Sequence, residues 1–453
     1  MGIKNLSKLI KKYAESSIHP ITNNDLKNKI IAFDTSIILY QIITALRSSG
    51  EDLVDKNGNS VSHIYGIFIK SLKYLKMNIN PIFIFDGRPS KLKLNILNQR
   101  TKIKNNAKVK LLDLKEKEDK HDNNEKILDE SELLNIQNEK IKLFKQIVSI
   151  SHTQIEEAAY VASLLGIPCI HAPEEADSQL SYMIINDLVD YIVSEDMDLL
   201  TFGSSKLIRN FSKSNMYEIN LNELLEEGEI TMDQFIDICI LLGCDYIDSI
   251  DGIGIQKAWT LIKKYGSIEE LIAKDKNIIN NKYKLPDNFN FNQVREYFKN
   301  PRHITIRKSD LQLGIPQFDV LKKLLIDKYN FNEDNFEHMI SFLRKKHNIF
   351  DKKYKSKKND DLFVDDDDII DVKVKVKAKP KKENNDDLFV DDDDDIIDVK
   401  VKVKSKKEKN NDLLLEDDDI IDVKVKVKTK AKPKKETINK SKSKINTNKA
   451  MNN

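Results

Sequence analysis

Three short apolar runs in this chain end in aspartate. They are KIIAFD, closing at Asp34; PIFIFD, closing at Asp86; and YIVSEDMDLLTFG, which carries Glu195, Asp196 and Asp198 within four positions. Carboxylates crowded in this way repel one another and oppose folding unless positive charge sits among them. No lysine or arginine lies inside these runs, beyond Lys29 at the far end of the first, to supply it. The acids have no His or Cys companions, so they form a hard, all-oxygen donor set of the kind that takes Mg²⁺ or Mn²⁺. There are more acids than one ion needs, which implies two ions about 3.5–4 Å apart, an arrangement that hydrolyses phosphodiesters.

Two further segments add acids. In APEEADS (172–178) a strand hands over to a helix. Glu174 and Asp177 share a face if the segment is a regular helix, whereas Glu175 and Asp177 share one only in an extended or irregular turn. Spacing leaves both open. Asp245, in LLGCDYIDSI, is one more candidate. After Asp86, GRPSKLKLNILNQR places Arg88, Lys93 and Arg100 beside the acids, and basic groups there would position a phosphate. Tyr40, six residues after Asp34, is either a core aromatic or a platform for an unpaired base.

These residues need a scaffold that brings them to one place. The three aspartate-ending runs and GIPCIHAP (166–173) are short, continuous and apolar, as buried parallel strands are. Helix-length segments such as SHIYGIFIKSLKYLKM and TQIEEAAYVASLLG alternate with them, which predicts an α/β fold with a mostly parallel sheet. In such sheets sites form at the carboxyl ends of the strands, where Asp34, Asp86 and Asp196 with Asp198 fall; continuing strand geometry would point the last two the same way. Residues 106–150 interrupt the alternation as a charged helical insertion, either a solvated hairpin or a lid. DGIGIQKAWTLIKKYGSIEELI reads as helix, hairpin, helix. There Gly252 and Gly254 would let backbone N–H groups approach a phosphate, and Lys257, Lys263 and Lys264 supply charge.

The chain has 453 residues, 33% of them charged, and a net charge of only +2, so the distribution of charge matters more than its sum. Three cysteines without a CxxC pair exclude a disulfide framework or thiolate zinc site. No apolar run approaches the ~20 residues of a membrane span, and MGIKNLSKLI lacks a signal-peptide core, so a soluble intracellular protein is expected. From about residue 349 the composition changes. DDLFVDDDDIIDVKVKVK recurs from Asp386 and, worn, from Asp412. Alternating acidic and basic blocks with few apolar residues predict a disordered tail rather than a solenoid.

Taken in order, MGIKNLSKLI, IIAFDTSIILYQ, FIFDGRPSKLK, APEEADSQL, SEDMDLLTFG and LLGCDYIDSIDGIG closely resemble the flap endonucleases of the XPG-type structure-specific nucleases, over residues 1 to 348. The resemblance implies a PIN/5′-nuclease-like fold. It has an N-terminal nuclease region (1–105), a helical arch (106–150), an internal nuclease region (151–348) with a helix–hairpin–helix near 235–272, and the tail (349–453). It implies metal ligands at Asp34, Asp86, Glu175, Asp177, Asp196, Asp198 and Asp245, choosing Glu175 over Glu174. It implies two Mg²⁺ or Mn²⁺ ions and K⁺ at the hairpin. Lys93 and Arg100 would hold the scissile phosphate and Tyr40 would stack near the attacked nucleotide. Gly2, Arg47, Lys70, Lys73, Arg88, Gly252, Gly254 and Lys257 would contact DNA. The arch would thread the 5′ strand.

The expected activity is cleavage of 5′ flaps with 5′→3′ exonuclease action in replication and repair, by a monomer. It would work in the nucleus, or at a cytoplasmic replication site if the chain is viral. A Holliday-junction or bubble-cutting relative and a catalytically silent DNA-binding scaffold are the alternatives. Departures from the family pattern are a longer, more acidic arch, Cys244 before the last acid, Ile255 and Gln256 in the hairpin, and no QxxLxxFF-type peptide for the sliding clamp PCNA.

Overall fold

Seven strands form one sheet in the order β1-β7-β6-β5-β2-β3-β4. They are β1 (Ile18–Pro20), β2 (Ile30–Asp34), β3 (Asn80–Phe85), β4 (Cys169–His171), β5 (Tyr191–Val193), β6 (Lys206–Arg209) and β7 (Tyr217–Asn220). The computed structural model describes residues 2–46, 53–123, 129–279, 283–286, 289–347, 374–376 and 397–399. From β6 through β4 every pairing is parallel; β7 pairs antiparallel with both β6 and β1, so β7 alone runs against the rest of the sheet. The chain moves outward from β2 to β3 and β4, then returns to the other side of β2 as β5. The reversal opens a crevice at the carboxyl ends of β2 and β5, the place where open α/β sheets bind ligands.

The central strands β2, β3 and β5 are largely apolar because both their faces are covered. Alternate residues serve opposite layers. Ala32, Ile82, Ile84, Ile192 and Leu207 pack with helices Leu6–Tyr13, Ala176–Ile185 and Met232–Leu242. Ile31, Phe33, Phe83, Phe85, Val193 and Ile208 pack with helices Thr35–Leu46, Ser62–Lys76, His152–Leu164 and Glu333–Lys346. The two parallel neighbours of β2 hold its end, and so Asp34, rigidly between them.

Helices Leu94–Asp122 and Glu130–Gln146 build the insertion. They enclose a small core of their own, Ala107, Leu111, Leu114, Ile136 and Leu143, and Lys140 pairs with Glu118 across them. The first of these helices runs unbroken past residue 105, and the basic residues Lys93 and Arg100 lie at its root. The expected helix–hairpin–helix is built from helices Met232–Leu242 and Ile255–Tyr265, followed by Ile268–Lys274. No helix of the described residues is long and apolar enough to cross a membrane.

The chain divides into two compact units, Met1–Tyr354 and Lys355–Asn453. In the second, strands Val374–Val376 and Ile397–Val399 pair antiparallel with Lys375 opposite Asp398. These strands come from the first two repeats. Otherwise the expected disordered tail, like Arg47, lies outside the described residues.

Candidate active site

The strand ends deliver the acids to one rim. Asp34 is the last residue of β2 and is buried; its Oδ1 accepts the Ile37 N–H at 3.2 Å and its Oδ2 accepts the Ser194 hydroxyl at 3.0 Å. Asp86 follows β3 and is exposed. Its Oδ1 takes the Ala176 N–H at 2.8 Å, fastening the end of β3 to the start of the next helix. That helix begins only at Ala176, with Glu175 in extended conformation before it. Glu175 and Asp177 are therefore both buried in the rim, whereas Glu174 turns to Arg302 at 3.4 Å. The regular-helix pairing of Glu174 with Asp177 fails because the helix starts two residues beyond Glu174.

Asp196 and Asp198 also converge, but not by strand alternation. β5 ends at Val193, and a turn followed by a short 3-10 helix carries the two acids. The Asp198 N–H donates to Asp196 Oδ1 at 3.0 Å, and the Asp196 N–H donates to Ser194 Oγ at 3.0 Å. Ser194 thus ties Asp196 to Asp34. Glu195 points away, to Arg209 at 3.2 Å and to the Asn210 N–H at 2.9 Å.

The N-terminus closes another side. The Ile3 N–H donates to Asp198 Oδ1 at 2.7 Å. Gly2 has φ +79°, and a Cβ there would lie 2.3 Å from Asp196 Oδ1 and 2.5 Å from Asp198 Oδ1. Only glycine fits.

Two cations answer this charge. Lys93 Nζ lies 2.9 Å from Glu175 Oε2 and 3.3 Å from Asp245 Oδ2, and Arg100 Nη2 lies 2.6 Å from the same Asp245 oxygen. Burial alone would raise Asp245, but Lys93 and Arg100 hold its carboxyl below the usual range. Burial would likewise depress Lys93, but Glu175, Asp177 and Asp245 outweigh it and raise the ammonium. The remaining acids are less well served. Burial, then Asp86, pushes Asp34 up to about 7. Burial and Asp196 raise Asp177 and Asp198, with Asp34 adding to the first and Asp245 to the second.

Among the described residues no group of three or more His, Cys, Asp or Glu is disposed to hold a metal ion as it stands. The acids engage internal donors, namely two cations, the hydroxyls of Ser194 and Tyr246, and the N–H groups of Ile3, Ile37, Ala176 and Asp198. The rim nonetheless fits hard divalent cations. Its donors are all oxygens, three of its carboxyls are held above their ordinary range, and Glu175 Oε1 is buried without a hydrogen-bond partner.

The other expected contacts are dispersed. Arg88 is exposed two residues past Asp86. Lys70 and Lys73 lie on helix Ser62–Lys76, and among the described residues no ion pair ties either to the carboxylates. Tyr40 is 36% exposed and its hydroxyl donates to the Lys145 carbonyl at 3.4 Å, so it touches the base of the insertion rather than the acids. In the hairpin Gly252 has φ +83°, and its carbonyl accepts Lys257 Nζ at 2.8 Å. Gly254 is extended, so the turn requires glycine at only one of the two positions. Ser194, Ser36 (which accepts the Asp86 N–H at 3.2 Å) and Tyr246 (whose hydroxyl donates to Glu175 Oε2 at 2.8 Å) had no spacing signal to mark them.

The family model described as the XPG N-terminal domain matches residues 1–107, and the XPG I-region matches residues 166–245. All seven acids fall inside these two matches; most of the helical insertion falls between them. The protein named Flap endonuclease 1 from Entamoeba histolytica is 34% identical over 350 residues, covering 76% of this chain and 88% of that protein. The chain belongs to the flap endonuclease family. The relative from Plasmodium knowlesi is 36% identical over 364 residues, covering 76% of this chain but 58% of that protein, so the chain spans little more than half its length. Among solved structures, the flap endonuclease-1 from Methanococcus jannaschii superimposes with a TM-score of 0.52 at 28% identity, over 72% of this chain and 95% of that one.

Proposed function

We propose that this protein is a divalent-metal-dependent, structure-specific endonuclease that cuts 5′ flaps at single-strand/duplex DNA junctions, with 5′→3′ exonuclease action, in replication and repair. The observation that carries the reading is the rim itself. Asp34, Asp86, Glu175, Asp177, Asp196, Asp198 and Asp245 gather at the crevice beside β2, with a buried carboxylate oxygen left open and two cations at its edge. These seven residues would hold two Mg²⁺ ions. Such ions, when bound, lower the pKa of a water and neutralise charge building on the phosphate.

Lys93 and Arg100 act from the root of the long insertion helix. In the free protein they neutralise Glu175 and Asp245; with DNA present they are the donors that orient the scissile phosphate, pre-positioned and partly dehydrated. Gly2 keeps the N-terminal segment close against Asp196 and Asp198. Tyr40, at the foot of the insertion, offers a face to an unpaired base. The insertion spans the single strand as an arch, and Arg88, Lys70, Lys73, Lys257 and the Gly252–Gly254 turn meet the duplex backbone, with K⁺ at the hairpin. The protein acts as a monomer, in the nucleus of a cellular eukaryote or at a cytoplasmic replication site if the chain is viral, and the sequence holds no QxxLxxFF-type peptide for the sliding clamp PCNA.

A labelled 5′-flap duplex incubated with Mg²⁺ and either the parent or Asp196→Ala tests the chemistry. The parent cleaves and the variant is slower by roughly 10²-fold or more. No cleavage by the parent, or equal cleavage by both, overturns the reading.

A further inference from the structure

Tyr246 follows Asp245 directly, yet it serves a different acid. Its side chain is buried, 7% exposed, and its hydroxyl donates to Glu175 Oε2 at 2.8 Å. The same oxygen receives Lys93 Nζ at 2.9 Å, while Glu175 Oε1 is buried with no partner. Both donors therefore sit on one oxygen of the carboxylate and leave the other presented to the rim. The phenol ring also lies under Lys93, whose Nζ is 5.6 Å from its centroid, within cation–π range.

The ring is itself fixed. Tyr297 packs against it at 4.9 Å and Phe298 at 5.5 Å, both from helix Phe291–Lys299. Phe298 in turn meets Phe202 at 5.1 Å, four residues beyond Asp198. An aromatic cluster thus anchors the hydroxyl from outside the carboxylate ring. Lys93 is a flexible amine that a phosphate would draw away; Tyr246 has no such freedom.

We propose that Tyr246 is a positioning residue that aims Glu175 at an incoming divalent cation, and that its hydroxyl is the donor that stays in place when Lys93 turns to substrate. This rests on the metal-centre reading above. Donors that orient a ligating carboxylate change metal affinity by roughly 10–100-fold when removed. Tyr246→Phe removes the hydroxyl but keeps the ring that supports Lys93 and the aromatic cluster.

The test is Mn²⁺ binding to the full chain without DNA, read from the electron paramagnetic resonance signal of free Mn²⁺. The parent, Tyr246→Phe, Glu175→Gln and the double variant are compared. Tyr246→Phe binds roughly tenfold more weakly than the parent, and adds nothing further once Glu175 is Gln, because the hydroxyl acts through that carboxylate. Unchanged binding by Tyr246→Phe, with normal binding by the parent, overturns the role of Tyr246 and leaves the metal centre standing. The same loss in the Glu175→Gln background assigns the effect to packing and also overturns it. A parent that binds no Mn²⁺ overturns the metal-centre reading and this inference together.

Discussion

Asp34 shows the cost of assembling the rim at the level of one residue. Its carboxyl is buried at a strand end and pushed up to about 7 from 3.8, by desolvation first and Asp86 second. The folded state therefore binds this proton more tightly than the unfolded chain does. The contribution to stability is full below about pH 4 and is lost as pH rises through about 7. In chelator, the melting temperature of the parent should fall between about pH 5 and about pH 8 relative to Asp34→Asn, whose neutral side chain removes that slope. Saturating Mg²⁺ should flatten the parent curve. A parent and variant with parallel pH profiles in chelator would show that Asp34 is not held in this state. Lys93 and Arg100 give a second prediction at this scale. Lys93→Ala and Arg100→Ala should each slow flap cleavage by roughly 10²–10³-fold while binding the flap within a few-fold of the parent. Single-turnover rates alongside a fluorescence binding titration separate the two effects.

At the scale of elements, the strand ends were legible and the turns were not. IIAFD and IFIFD announce buried strands because a strand covered on both faces must be apolar throughout, and an acid can enter only at its end. The choice between Glu174 and Glu175 needed the first residue of the helix, which is set by tertiary bonds such as Asp86 to the Ala176 N–H, 90 positions apart in sequence. Asp196 and Asp198 meet through a turn tied by Ser194, not through strand pleating. β1, β6 and β7 went unread because they are only three or four residues long and lie to one side of the sheet, where β7 pairs antiparallel with both others and polar residues break the apolar run. The hairpin offers a contrast that spacing alone could not. Gly252→Ala should cost about 1–2 kcal/mol in urea unfolding, because φ +83° is strained for any side chain and the new Cβ would lie 3.2 Å from the Tyr283 ring. Gly254→Ser, at an extended helix N-cap with nothing within 4 Å, should change stability by less than about 0.5 kcal/mol. Equal effects at the two positions would contradict the turn geometry.

The first compact unit couples a parallel sheet, which gathers the acids, to a helical insertion whose root carries Lys93 and Arg100, the two cations paired with Glu175 and Asp245. The insertion's core is small, so it should loosen independently of the sheet. Leu111→Ala, which empties part of that core, should speed amide exchange within 94–146 while leaving the strands protected. The repeats from Lys355 onward belong to a separate compact unit and contribute none of the seven acids. A chain ending at Tyr354 should accordingly cut flaps within roughly threefold of the full-length rate, and a larger loss would give the tail a part in catalysis. The central claim is that this arrangement selects a 5′ flap and not merely DNA. The most direct measurement is the cleavage rate of the full chain in Mg²⁺ on three substrates of matched sequence: a 5′-flap duplex, a four-way junction and a linear single strand. The account predicts incision at the base of the flap, faster than on either other substrate by roughly 10²-fold or more. Preferred cutting of the junction, or equal rates on all three, would contradict it.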